Sequence, residues 1–257
     1  MDLLGGNDPL SIISLVSRKK ANYFEKAKEL ARGAKTQENL EEIMVDRAKT
    51  LVRQLHDKRI KWSEYQIGVI NNTFIGAMGG AALVSDSDKI LDNVWSVAVG
   101  RMVPHLSNFL QLTKESLDDG TLNHEDVLDF EEYPYGYPDE YPEDYMYYPE
   151  PDPEPATKPE PVGKPRERQR VASWIGLAAR LVRYVANPSY SFFRTAEFEV
   201  NKRTGYTQMR RWAVGDKNTC EDCAWWDSVG WRPIGELPLP GNSCRCLDRC
   251  RCRMEYR

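Results

Sequence analysis

Residues 131–169 hold ten prolines: Pro134, Pro138, Pro142, Pro149, Pro151, Pro153, Pro155, Pro159, Pro161 and Pro165. Proline fixes φ and removes a backbone donor, so at this density neither a helix nor a central strand can form. Polyproline II or disorder is what remains, reaching on the order of 100 Å if fully extended at ~3.1 Å per residue. The same stretch carries seven tyrosines and no aliphatic periodicity. Its Tyr-Pro units (Tyr133-Pro134, Tyr137-Pro138, Tyr141-Pro142, Tyr148-Pro149) could lay rings into a partner's groove, as proline-rich ligands do. A solubilising linker is the simpler reading. Either way the segment divides the chain into a helical domain (1–130), an acidic Tyr/Pro-rich linker (131–169), further helices (170–215) and a small carboxy-terminal module (216–257).

Charge follows the same division. The chain's formal charge is −4, but residues 131–162 hold ten carboxylates against Lys158 alone. A local −9 leaves +5 for everything else. That is an ordinary solvated surface, too weakly basic to argue for nucleic acid by itself. Met1-Asp2-Leu3-Leu4 places an acid where a secretory signal would carry lysines, and no cleavage site follows an apolar stretch. No apolar run is read as approaching the ~18–20 residues of a membrane span. The expectation is a soluble chain made inside a cell, or packaged into something made there.

Ahead of the linker the periodicity is helical. Leu40, Ile43, Met44, Ala48, Leu51, Val52 and Leu55 share one face, with Glu41, Glu42, Asp46, Arg47 and Lys49 on the other. A second run, Trp62, Tyr65, Ile70, Phe74 and Ala77, is expected to stop at Gly79-Gly80. A third begins near Ser85-Asp86-Ser87-Asp88, whose oxygens can cap it, and continues through Ile90, Leu91, Val94, Trp95, Val97 and Ala98 to Leu106 and Leu110. Pro104 is expected to kink or divide that helix, and Asp118-Asp119-Gly120 to close it in a turn. After the linker, Trp174, Leu177, Ala178, Leu181, Tyr184 and Val185 repeat at helical spacing, with Asn187-Pro188 as the stop. A further helix is expected over about 190–214. The fold class is mainly α, a helical bundle.

All six cysteines fall after residue 219: Cys220, Cys223, Cys244, Cys246, Cys250 and Cys252. Cys220-x-x-Cys223 followed by a second cluster about twenty residues later has zinc-site spacing. A Cys-x-x-Cys turn can aim both sulfurs at one tetrahedral ion, and the second cluster supplies the rest. The intervening Gly230–Gly241 stretch is too rich in Pro and Gly for a helix and reads as a short hairpin or meander. So small a segment cannot bury enough apolar surface, so a structural Zn2+ would supply much of its folding free energy. Cys220 and Cys223 are the first pair of ligands; Cys246, Cys250 and Cys252 compete for the other two places, with Cys244 as the spare thiol. A disulfide framework would need an oxidising compartment, and a redox Cys-x-x-Cys a thioredoxin-like βαβ setting. A catalytic zinc would want an open position and a nearby base. His56, His105 and His124 are all remote in sequence and read as surface or packing residues.

The stretches Trp212–Cys223, Gly230–Pro238 and Cys246–Arg257 resemble the carboxy-terminal part of tailed-phage minor head proteins, the Mu-type head morphogenesis family and its prophage relatives. In that family a Thr-Cys-x-x-Cys turn, here Thr219–Cys223, is followed by Gly-x-x-x-x-Gly-x-Leu-Pro, here Gly230–Pro238. The family ends in Asn-Cys-Arg-Cys, often after His-Pro; this chain lacks the His-Pro, and its Cys246 sits one place before where that histidine would fall. Gly79-Gly80, Leu106–Leu110 and Gly120-Thr121-Leu122 resemble the helices that precede the module in some relatives, which mostly run on without an acidic linker. The resemblance implies a non-enzymatic component of the virion, present in the host cytoplasm during assembly. It would bind portal and capsid proteins, with no small-molecule substrate, and serve head assembly or genome delivery.

Two other classes compete. Arg245, Arg249, Arg251, Arg253 and Arg257 crowd the last thirteen residues, and Trp225, Trp226, Trp231 and Tyr256 could stack on bases. A zinc-containing nucleic-acid-binding module, or a head protein that also touches packaged DNA, fits those residues. The alternative is a basic solvated end with tryptophans packing the knuckle. An enzyme is the third class; no glycine-rich phosphate loop, nucleophile elbow or paired-carboxylate setting stands out from the charge background.

Overall fold

The structure is a computed structural model, and it describes residues 8–125, 128, 173–215, 219–240, 244, 250 and 252–257. The Tyr/Pro linker expected over 131–169 lies outside them. The protein is mainly helical, with a small three-stranded antiparallel sheet and a cysteine cluster near its carboxy-terminal end.

Two helices that the periodicity reading passed over open the fold, α1 (Pro9–Arg18) and α2 (Lys20–Ala34). Asp8 caps α1, its carboxylate accepting the Ser11 N–H at 3.0 Å, and Pro9 occupies the first helical turn, where its missing donor costs nothing. Helix α3 (Gln37–His56) matches the first predicted run, and Thr36 caps it through the Asn39 N–H.

Helix α4 (Trp62–Val84) does not stop at Gly79-Gly80 but runs through them. The glycines serve packing instead. A Cβ on Gly80 would lie 1.9 Å from the Ser189 carbonyl oxygen, and one on Gly76 2.6 Å from that of Val185. These carbonyls belong to the junction of α6 (Trp174–Val185) and α7 (Asn187–Arg203), which sits directly against α4. Four residues apart on one face, Gly76 and Gly80 make the flat seat that close approach requires.

The expectation that no apolar run approaches span length does not hold for α4. From Tyr65 to Val84 it carries no charged residue, and by length and composition alone it is long and apolar enough to cross a membrane. Its interruptions are the uncharged Gln66, Asn71, Asn72 and Thr73. In the fold it is the central helix, packed against α2, α3, α5 (Asp88–Asp118), α6 and α7. A helix surrounded in this way is apolar on nearly every side.

Pro104 does not divide α5, which runs unbroken to Asp118. Pro104 and Gly100, the residue whose carbonyl loses its helical donor, both lie on the exposed side, where water can take the missing partner's place. The turn at Gly120 is as read, with φ +76° and its N–H reaching the Leu117 carbonyl.

Helices α6 and α7 share one apolar core with α1–α5, although the Tyr/Pro stretch separates them in sequence. At the point of re-entry, buried Trp174 donates its indole N–H to the Asn123 carbonyl at 2.7 Å, with the rings of His56 and His124 5.1 and 5.2 Å away. Those two histidines are packing residues, as expected, and His105 is exposed.

The helix expected over 190–214 ends at Arg203. Its last part is a strand, β1 (Gln208–Trp212), the centre of the sheet, flanked by β2 (Arg232–Pro233) and β3 (Arg253–Tyr256). The sheet is thus not a hairpin confined between the cysteine groups. Its central strand precedes them all and β3 follows them all, with Arg211 opposite Met254 and Trp212 opposite Arg253.

Candidate metal centre

Strand β1 alternates in burial, with Met209 and Arg211 inward and Gln208, Arg210 and Trp212 outward. Met209 packs with Leu237 and Met254 beneath the sheet, joined by Phe198 from α7 and by Trp226. One position further along, the inward side meets sulfur instead of carbon. Ala213, Cys223, Cys244, Cys250 and Cys252 form a second buried cluster, with Cys220 partly buried against it.

Cys220 is the N-cap of α8 (Glu221–Ser228), and Cys223 lies in its first turn, where the helix end favours a negative charge. The Sγ atoms of Cys223, Cys244 and Cys250 all lie within 4.8 Å of one another, and Cys223 and Cys250 are 3.6 Å apart. Cys252 completes a close set of four that could bind a metal ion. Four thiolates around an ion at ~2.3 Å would stand ~3.8 Å apart in a tetrahedron, so the observed sulfur spacing suits a borderline-soft cation. All five described cysteines carry thiols rather than disulfides.

Of the ligands expected from spacing, Cys223, Cys250 and Cys252 are brought together and Cys220 stands at the rim. Cys246 lies outside the described residues. Cys244, read as the spare thiol, is in the cluster and 6% exposed. Spacing alone could not separate Cys244 from Cys246, because both flank the same arginine, Arg245, at equal distance.

One residue of the centre is not a cysteine. Arg211 is fully buried, its Nη2 donating to Cys223 Sγ at 3.3 Å and Cys250 Sγ at 3.1 Å, its Nη1 to the Pro238 carbonyl at 3.4 Å. Burial opposes the charge on this guanidinium, but the sulfurs of Cys250, Cys244 and Cys252 outweigh it and hold its pKa above the ordinary arginine value. At Cys252, donation from Cys223 pulls the pKa down. The hydrogen bond with Cys250 and burial outweigh that and leave the thiol raised. The sequence places Arg211 inside the helix expected over about 190–214; with an arginine in the inward place, the strand shows no hydrophobic alternation to find.

The centre is anchored to the helices through α7. Tyr190 donates its hydroxyl to the Cys252 carbonyl at 3.1 Å and accepts from Arg194 at 3.0 Å, while Arg194 also pairs with Glu197 at 2.6 Å. Burial pushes the Tyr190 hydroxyl's pKa up, against the pull of Arg194.

Together these features define a mainly helical protein with a buried, sulfur-only candidate metal centre at one end. No family model, curated protein or solved structure matches the chain.

Proposed function

We propose that this is a structural minor head protein of a tailed phage or prophage. On this reading the cysteine cluster holds one Zn2+ that staples the carboxy-terminal module, and the helical body presents surfaces to portal and capsid subunits. The observation that carries the reading is the meeting of Cys223 with Cys250 and Cys252 around one buried point. These are the Cys-x-x-Cys turn and the terminal Cys-x-Cys on which the resemblance to head morphogenesis proteins rests. A sulfur-only, buried donor set suits a closed structural site rather than one that keeps a position open for substrate. Zinc would cross-link α8 to the chain that leads into β3, and Cys223, Cys244, Cys250 and Cys252 would hold it.

The test is mass spectrometry and metal analysis of purified particles from an infected or induced host. The protein should be present with zinc in proportion. A protein that never accompanies particles, yet modifies or hydrolyses a substrate, would overturn the reading in favour of an enzyme.

A second reading, a nucleic-acid-binding module, is favoured by two stacked pairs beside the sheet. The Arg253 guanidinium lies 4.1 Å from the Trp212 ring centroid and that of Arg257 4.3 Å from Trp231. Bases stack on such arrangements. Against it, Arg253 pairs with Glu255 and Arg210 with Asp227, which dilutes the local positive charge. Binding to single strands that falls steeply as salt rises would support this second reading.

A further inference from the structure

A metal centre of four thiolates and a divalent ion carries two net negative charges. Burying them away from water is costly unless something of opposite sign stands beside them. Arg211 is the fully buried arginine of the described chain, and its guanidinium points at the sulfurs. Its own burial is equally unfavourable without a negative partner, and among the described residues the sulfurs are what offset it. The two unfavourable burials cancel only together.

The placement is built rather than incidental. Arg211 lies on the central strand opposite Met254 on β3, two residues beyond Met209, which pairs with β2 as well, so the sheet fixes the backbone that carries it. The Pro238 carbonyl takes one end of the guanidinium, which leaves the other end to bridge Cys223 and Cys250 with a single nitrogen. A planar fork can do this, whereas a lysine ammonium supplies a point charge with no such fixed geometry.

We propose that Arg211 is the positioning residue and internal counter-ion of the metal–thiolate centre. It offsets part of the centre's negative charge and fixes two of the sulfurs through N–H···S hydrogen bonds. This rests on the metal reading above. Outer-shell partners of metal ligands commonly alter affinity by about 10–100-fold. Donation into a thiolate also lowers the energy of its lone pairs, which raises the energy of sulfur-to-metal charge transfer and slows attack by electrophiles.

The experiment uses the full chain loaded with Co2+, which reports sulfur ligation by its charge-transfer absorption, alongside Arg211→Met and Arg211→Lys. Far-UV circular dichroism first checks that the helical body is intact in each variant. Arg211→Met should weaken Co2+ and Zn2+ binding about 10–100-fold in chelator competition. It should also move the charge-transfer band to longer wavelength and speed alkylation of the metal-loaded thiols by iodoacetamide. Arg211→Lys should recover part of the affinity without restoring the band. If Arg211→Met fails to fold, the lysine variant decides: a shifted band supports the role, and wild-type affinity with an unshifted band overturns it. Wild-type behaviour of Arg211→Met would remove the role of Arg211 and leave the metal site standing. A wild-type chain that takes up neither ion would overturn the site and this role together.

Discussion

The helical body and the cysteine module differ in what they enclose. In the body, Leu40, Val52, Ile70, Phe74, Leu91, Leu106 and Leu181 lie in one continuous core that runs from α1 to α7. Under the module's sheet the fully enclosed apolar residues are Met209, Leu237 and Met254, and next to them the enclosed atoms are sulfur. Burial of many side chains at roughly 1.5–3 kcal/mol each can offset the entropy of ordering a helical bundle. Among the described residues of the module few apolar side chains are enclosed, so on the metal reading a cross-link through the thiols would supply what packing does not. The contrast predicts that the two regions fail independently, one by loss of packing and the other by loss of metal.

The largest expected effect comes from taking the metal away. Chelation under reducing conditions, or Cys223→Ser, should unfold the region after about residue 205 while the helices persist; structural zinc contributes on the order of 10 kcal/mol to such modules. Hydrogen exchange should show protection lost in β1–β3 and α8 and kept in α4. Equal loss across both regions would mean that the module and body share one cooperative unit.

Next in size are changes in the body. Gly80→Ala places a methyl group 1.9 Å from the Ser189 carbonyl oxygen, a backbone atom that cannot step aside cheaply. Overpacking of this kind costs about 1–3 kcal/mol or more, so the melting temperature should fall by several degrees with zinc content unchanged. Leu181→Ala leaves a cavity on α6 at a fully buried site and should cost about 2–5 kcal/mol. Leu181→Glu, which buries a charge there, should cost more and also reduce co-purification with portal and capsid. A variant that loses zinc along with body stability would erase the distinction between the regions.

The smallest effect should fall on the link. Tyr190→Phe removes the hydroxyl that bridges Arg194 to the Cys252 carbonyl and leaves a buried acceptor unpaired. About 1 kcal/mol is expected, read as easier metal release rather than as a change in the melting of the helices.

The body was legible where burial follows a single stripe. The α3 and α6 patterns gave their helices to within a few residues because each buries one face against neighbours. Helix α4 misled in its ending because Gly79 and Gly80 look like a stop signal in one dimension, while in the fold Gly80 seats the α6–α7 junction and Gly79 packs against Leu30 and Leu40, which are three-dimensional contacts. The strand β1 was hidden because its inward residues are Met209 and Arg211, and an arginine that points into a protein carries no hydrophobic signal. The cysteine centre was legible as a centre. Its membership was not, because Cys244, Cys246, Cys250 and Cys252 lie in a segment with no regular period to set which sulfurs face inward.

The central claim is that a four-sulfur metal site holds the module together. It is tested most directly by metal analysis of freshly purified, reduced protein combined with alkylation mapping of the thiols. The account predicts one zinc per chain, with Cys223, Cys244, Cys250 and Cys252 protected until a chelator is added. Protein with no bound metal, or with these cysteines paired in disulfides, would contradict it.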